Sequence, residues 1–299
     1  METVKVGDIE LCYGLDGKAD APVLLMFCGL GGQLTSAWDQ GFVDRLIEAG
    51  FATLRFDNRD AGLSTSFDSS GPSSVDIPES SAEVPVVDPS TVPYTLVDMA
   101  ADGAGLLDAL GIDAVHVLGV SMGGMIAQQF AISFPARTLS LCSISSMPGE
   151  PESEMPTDAA LHVLVDAPPH EREAYVENQV EVWHVLGSHG YPFHEDLVRV
   201  RAGAAYDRSF RPDGVGRQLV AILASPPRTE GLRQVNVPTL VIHGEDDPLV
   251  RLSGGRATAA AVRGCRLLTF PGMGHDLPPE LWDQFVEAIT LNAKRADAS

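Results

Sequence analysis

Short apolar runs punctuate this chain, and between them apolar positions return every third or fourth residue. The run Val23-Leu24-Leu25-Met26-Phe27-Cys28 has no polar face, the signature of a strand covered on both sides. Residues 51–56, 114–118, 138–144, 238–243 and 265–270 read as further strands. Residues 38–49, 94–110, 124–131, 253–262 and 278–291 carry helical periodicity, and Gly50 and Gly111 stand just past two of these helices. Strand and helix alternate, which predicts an α/β protein with a largely parallel sheet and helices on both faces. Residues 3–15 alternate around Gly7-Asp8 and predict an edge hairpin.

The alternation breaks twice. Residues 65–93 turn to Ser, Pro, Asp and Glu without periodicity, which predicts a long surface loop. Residues 147–228 carry helix-like stretches at 159–165, 171–183 and 195–201, cut by Pro168-Pro169, Gly187, Gly190 and Pro192. A helical segment inserted between two core strands is a cap. The expected division is therefore a core of residues 1–146 and 229–299 and a cap of residues 147–228.

Charge narrows the partners. The 299 residues carry 41 acidic against 20 basic side chains, a formal net charge of −21, with Lys5, Lys18 and Lys294 the only lysines. Such a surface repels phosphate backbones and anionic lipid, so neither nucleic acid nor membrane is an expected partner. Cys12, Cys28, Cys142 and Cys265 are far apart and mostly inside apolar runs, as reduced, buried thiols would be. The N-terminus shows neither the basic nor the apolar region of a signal peptide, and no run is long enough to span a bilayer. A cytoplasmic protein is the expectation.

Chemistry concentrates in three loops, each after a predicted strand. Gly119-Val120-Ser121-Met122-Gly123 joins the 114–118 strand to a helix, the setting of a nucleophile elbow. Gly244-Glu245-Asp246-Asp247-Pro248 and Pro271-Gly272-Met273-Gly274-His275-Asp276 follow two late strands. In open parallel sheets, that edge is where ligands bind. A serine hydroxyl is a poor nucleophile until a histidine takes its proton and an acid holds the histidine. The glycine-rich Gly29-Leu30-Gly31-Gly32, after the first buried strand, lets backbone amides approach a ligand.

The order Ser, Asp, His on these elements resembles the α/β-hydrolase superfamily. That resemblance implies an α/β-hydrolase fold: a mostly parallel central sheet, helices on both faces and a helical cap. It implies Ser121 as nucleophile, His275 as base, Asp247 as the acid in preference to Asp246, and the amides of Leu30 and Met122 as the oxyanion hole. The superfamily's oxyanion loop usually reads His-Gly, where this chain has Cys28-Gly29. The turn from Asp57 to Ser64 matches a segment whose role there is mainly structural. Gly-Val-Ser-Met-Gly, Gly-Met-Gly-His and the Asp-Asn-Arg-Asp turn are most similar to the bacterial aclacinomycin methylesterase type.

The expected activity is hydrolysis of carboxylic esters of small to medium, moderately hydrophobic molecules, through an acyl-enzyme and without a cofactor. Two rivals stand beside it: the same triad on another acyl or C–C substrate, perhydrolysis included, and a ligand-binding receptor that kept the fold. His184, His189 and His194 recur every five residues, a spacing that does not align them on one helical face, and no metal is expected. Trp183, Leu186 and Tyr191 are the candidate substrate-binding residues of the cap. Few cations stand among the candidate pocket residues, which points to uncharged esters.

Overall fold

The computed structural model describes residues 1–68, 87–150 and 154–296. Eight strands form one sheet: β1 (Glu2–Val6), β2 (Ile9–Asp16), β3 (Val23–Phe27), β4 (Ala52–Phe56), β5 (Val115–Val120), β6 (Thr138–Ile144), β7 (Thr239–Gly244) and β8 (Arg266–Phe270). Their order across the sheet is β1-β2-β4-β3-β5-β6-β7-β8. β1 and β2 form the expected edge hairpin, β2 meets β4 antiparallel, and the pairs from β4 through β8 are parallel.

The apolar run of β3 serves both faces. Leu25 and Phe27 pack with α2 (Leu96–Leu110) and α3 (Met122–Ser133), whereas Leu24 and Met26 pack with α1 (Gln40–Glu48) and α10 (Trp282–Lys294). The sheet is thus sandwiched between two cores, which is why its central strands lack a polar face. Helix ends follow the sequence closely. Asp39 caps α1, accepting from Gly41 N at 2.8 Å. Thr95 and Asp98 form a reciprocal capping box on α2, and Gly111 closes that helix at φ +66°.

Between β6 and β7 lie the cap helices α4 (Asp158–Val165), α5 (Arg172–Leu186), α6 (Glu195–Arg208) and α7 (Pro212–Ala224), then the short α8 (Thr229–Leu232). Sequence periodicity missed α7 because Pro212, Gly214 and Gly216 crowd its first turns; Pro212 sits there at the tolerated first position. α9 (Leu252–Ala261) joins β7 to β8. The last helix starts later than its pattern implied: Pro279–Leu281 forms a 3-10 turn before α10. Residues 69–86 of the predicted long loop lie outside the described residues. At its near end Phe67 packs edge-on against Tyr94, with ring centroids 5.2 Å apart.

Asp57 and Asp60, in the turn directly after β4, fasten the cap to the core. Asp57 accepts from Leu34 N and Leu63 N and pairs with Arg208 of α6 at 2.7 Å. Asp60 takes both arms of Arg217 of α7, at 2.8 and 2.9 Å, and the Tyr94 hydroxyl at 2.6 Å. Arg59 grips Asp102 of α2 with two nitrogens, at 2.6 and 2.7 Å. Each charge of this turn is spent on a partner in a neighbouring helix.

Candidate active site

Ser121 caps α3 with φ +56° and ψ −123°, a conformation that a side chain tolerates only when its surroundings enforce it. The flanking glycines are a steric requirement. A Cβ on Gly119 would lie 2.0 Å from Gly123 O, and one on Gly123 would lie 2.0 Å from Phe27 O. The turn therefore packs against the end of β3 only without side chains on either side of the serine.

Three loops converge on this turn. His275 Nε2 lies 2.9 Å from Ser121 Oγ, and His275 Nδ1 lies 2.7 Å from Asp247 Oδ2. Asp247 is fully buried, and its other oxygen accepts from Leu249 N and Val250 N, both at 2.9 Å. Asp246 points elsewhere and accepts from Gly272 N at 2.9 Å. Burial alone would lower the His275 pKa, but the charge and hydrogen bond of Asp247, helped by Asp276, carry it above its ordinary value. With Nδ1 donating to the carboxylate, Nε2 is left to accept the serine proton.

The glycine loop after β3 comes within contact of the elbow. Gly31 N donates to Gln218 Oε1 of α7 at 2.9 Å, and Gly32 N donates to Gly29 O at 3.0 Å. Among the described residues, the amides of Leu30 and Met122 have no acceptor. Leu30 and Met122 both line the cavity beside Ser121. Two unspent amides next to a serine hydroxyl are placed where they could stabilise an oxyanion. Cys28, immediately before the loop, is fully buried, and its thiol is pushed far up in pKa by desolvation, then by the nearby Asp57.

A cavity of about 530 Å³ lies between the cap and this edge of the sheet, with Ser121 and His275 in its wall. Trp183 and Leu186 line it, as do Leu161 and Val182. Tyr191 is a correction: it is not in the lining, and its hydroxyl donates to Pro271 O at 3.3 Å. The reason is local. Gly190 lies back to back with Gly272 and donates its N–H to Gly272 O at 2.9 Å, turning the chain onto the histidine loop and away from the cavity. The cap histidines are engaged separately: His184 lies 4.0 Å from Phe193, ring centre to ring centre, and His194 pairs with Glu280 at 3.0 Å. No described group of three or more His, Cys, Asp or Glu could hold a metal ion. No described helix is long and apolar enough to cross a membrane.

Sequence reasoning missed two features. Arg201 of α6 and Arg211 also line the cavity. The 186–191 stretch of the cap is hydrogen-bonded to the histidine loop: His275 N donates to Leu186 O at 2.7 Å, and Gly274 N donates to Ser188 Oγ at 2.9 Å. Only the tertiary fold puts these segments together.

A family model described as "alpha/beta hydrolase fold" matches residues 22–280. The chain belongs to the α/β-hydrolase fold family. It is 28% identical to rhodomycin D methylesterase DauP of Streptomyces sp. (strain C5), across 95% of this chain and 94% of that one. The methylesterase likeness expected from the motifs is therefore found. Among solved structures, the chain resembles the enol-lactonase from Burkholderia xenovorans LB400, with TM-score 0.73 and 21% identity over 98% of this chain and 100% of that one. It also resembles the esterase EaEST from Exiguobacterium antarcticum, with TM-score 0.74 and 19% identity over 98% of each chain. These two likenesses concern the fold.

Proposed function

We propose that this protein is a carboxylic-ester hydrolase acting on small to medium, moderately hydrophobic esters. The observation that carries the reading is the hydrogen-bonded line from Ser121 through His275 to the buried Asp247, with Ser121 and His275 in the wall of the cavity under the cap. In this reading, Ser121 Oγ attacks the ester carbonyl while His275 Nε2 takes its proton. The amides of Leu30 and Met122 hold the oxyanion, a contribution of about 2.7–4 kcal/mol per donor in enzymes where one has been removed. His275 then returns the proton to the leaving alcohol, and water, activated by the same histidine, releases the acid from Ser121. No metal or cofactor enters any of these steps. The methylesterase relatives support an ester as the scissile group.

The test is labelling of the purified protein with a fluorophosphonate, together with turnover of p-nitrophenyl acetate. Labelling at Ser121 and its loss in Ser121→Ala, with ester turnover lost in parallel, is the expected result. A protein that neither labels nor turns over the ester would be a ligand-binding member of the fold instead.

A further inference from the structure

Arg201 stands out among the arginines of the cap. Arg172 pairs with Asp207, Arg199 with Glu177 and Glu195, Arg208 with Asp57, and Arg217 with Asp60. Arg201, two turns before Arg208 on α6, is half-buried in the cavity lining and has no hydrogen bond or ion pair among the described residues. The chain holds about two acidic residues for every basic one, so scarcity of partners is not the cause. Asp39 and Asp276, also in the lining, are close enough to act through space but not to touch. Each already spends an oxygen elsewhere, Asp39 on Gly41 N and Asp276 on Ser188 Oγ. Burial outweighs both of them and lowers the Arg201 pKa, so the two acids do not compensate the desolvation of this cation.

A guanidinium is a planar fork with five N–H donors, and none of those of Arg201 is used within the described residues, which leaves the fork open to a group in the cavity. The group that fits it with the fewest loose ends is a carboxylate, which meets the fork with two parallel hydrogen bonds. We infer that Arg201 is a specificity residue that binds a carboxylate at the end of the substrate remote from the scissile ester. The inference rests on the hydrolase reading of Ser121 and narrows it, from moderately hydrophobic esters in general to half-esters of dicarboxylic acids with an apolar middle. The acidic surface does not forbid such a substrate. Exposed charges are screened beyond about 8 Å at physiological ionic strength, whereas a desolvated contact inside the cavity is not.

The experiment compares methyl esters whose far end is a carboxylate with the same esters ending in a carboxamide, which is neutral and of the same shape. The series runs through successive chain lengths, with wild type, Arg201→Lys and Arg201→Met. Wild type should prefer the carboxylate at one favoured length by about tenfold to a hundredfold in kcat/KM, the range for hydrogen bonds to a charged group. Arg201→Met should lose that preference mainly through KM, and Arg201→Lys should keep part of it, because the charge remains and the fork does not. A wild type that never prefers the carboxylate would overturn the proposal, even if neither variant folds. So would an Arg201→Met variant that retains the preference. Calorimetry with adipic acid monoamide, which carries no ester, reads the same contact without turnover: binding by wild type and its loss in Arg201→Met supports the proposal, and equal binding by both overturns it. Fluorophosphonate labelling of Ser121 decides the hydrolase reading separately.

Discussion

The amide of His275 donates to the carbonyl of Leu186 at 2.7 Å, so the loop that carries this histidine hangs from the last residue of α5. Gly187 and Gly274 make the approach possible: a Cβ on Gly274 would lie 2.4 Å from Gly187 O. Ser188 adds a second hold by accepting from Gly274 N and donating to Asp276. The cap therefore does more than line the cavity; it sets where His275 stands.

Ser188→Ala should act on turnover. It strands the buried Gly274 N–H, a loss of about 1–3 kcal/mol, and frees the histidine loop to shift. The expected signature is a fall in kcat by a common factor for large and small esters, with KM little changed and partial recovery in Ser188→Thr. Trp183→Ala, a change in the cavity wall, should instead reorder substrates while sparing p-nitrophenyl acetate the most. A Ser188→Ala variant altered only in KM would assign this serine to substrate contact.

The choice between the two adjacent acids is sharp. Asp247 touches His275 at 2.7 Å, whereas Asp246 holds Gly272 N. Asp247→Asn should lower kcat/KM by several orders of magnitude, since an amide cannot hold the imidazolium and favours the wrong tautomer. Asp246→Asn should cost less than about tenfold. Steady-state kinetics on one activated ester compares them directly, and equal losses would remove Asp247 from its proposed role.

The pH profile follows from the surroundings of His275. Burial lowers its pKa and Asp247 raises it more, so the balance lies above the reference value of about 6.5. The base works only when neutral, so kcat/KM should rise with pH through a midpoint above about 6.5 and then level off. Replacing Asp247 by Asn leaves burial unopposed by that charge and should move the midpoint of the residual activity to lower pH. The linked stability has the opposite trend to the activity. A raised pKa contributes fully below about 6.5 and is lost as pH rises through the folded-state value. Profiles of wild type and Asp247→Asn with one ester test both the direction and the cause.

What the sequence made legible was what local chain geometry enforces. Gly119, Ser121 and Gly123 announce the elbow because backbone packing, of Gly119 on Gly123 and of Gly123 on Phe27, excludes any other residue type at the two glycines. Asp247 and His275 were legible because each sits in a short turn ending a strand of unmistakable pattern. Arg201 was not, because its significance is the absence of a partner, and in the sequence it stands among many arginines and acids. The contact of Leu186 with His275 joins residues far apart in the chain and leaves no local trace. Tyr191 was misplaced for a related reason: an aromatic residue in a cap can face the cavity or the core, and here the Gly190–Gly272 contact decides.

The bond between Asp60 and Arg217 should govern stability without entering the chemistry. The pair is almost wholly buried, joins the turn after β4 to α7, and is completed by the Tyr94 hydroxyl. Removing Arg217 leaves Asp60 buried without a cation, and removing Asp60 leaves the buried Arg217 with only the exposed Asp68, 2.8 Å away, so each break costs up to about 3–5 kcal/mol. In a chain of this size each kcal/mol lowers Tm by about 2–4 °C, so Asp60→Asn should melt roughly 6–20 °C below wild type. Arg217→Met should be comparably destabilised, because it strands Asp60 instead. The double variant should recover much of the loss, since it removes both charges, and this non-additivity separates the ion pair from a mere packing defect. Below their melting range both single variants should keep kcat within a small factor of wild type, because Arg217 and Asp60 touch neither Ser121 nor His275. Thermal melts of the four proteins, with kinetics at one low temperature, measure the cycle. Additive losses in the double variant would show that the two side chains stabilise the cap independently.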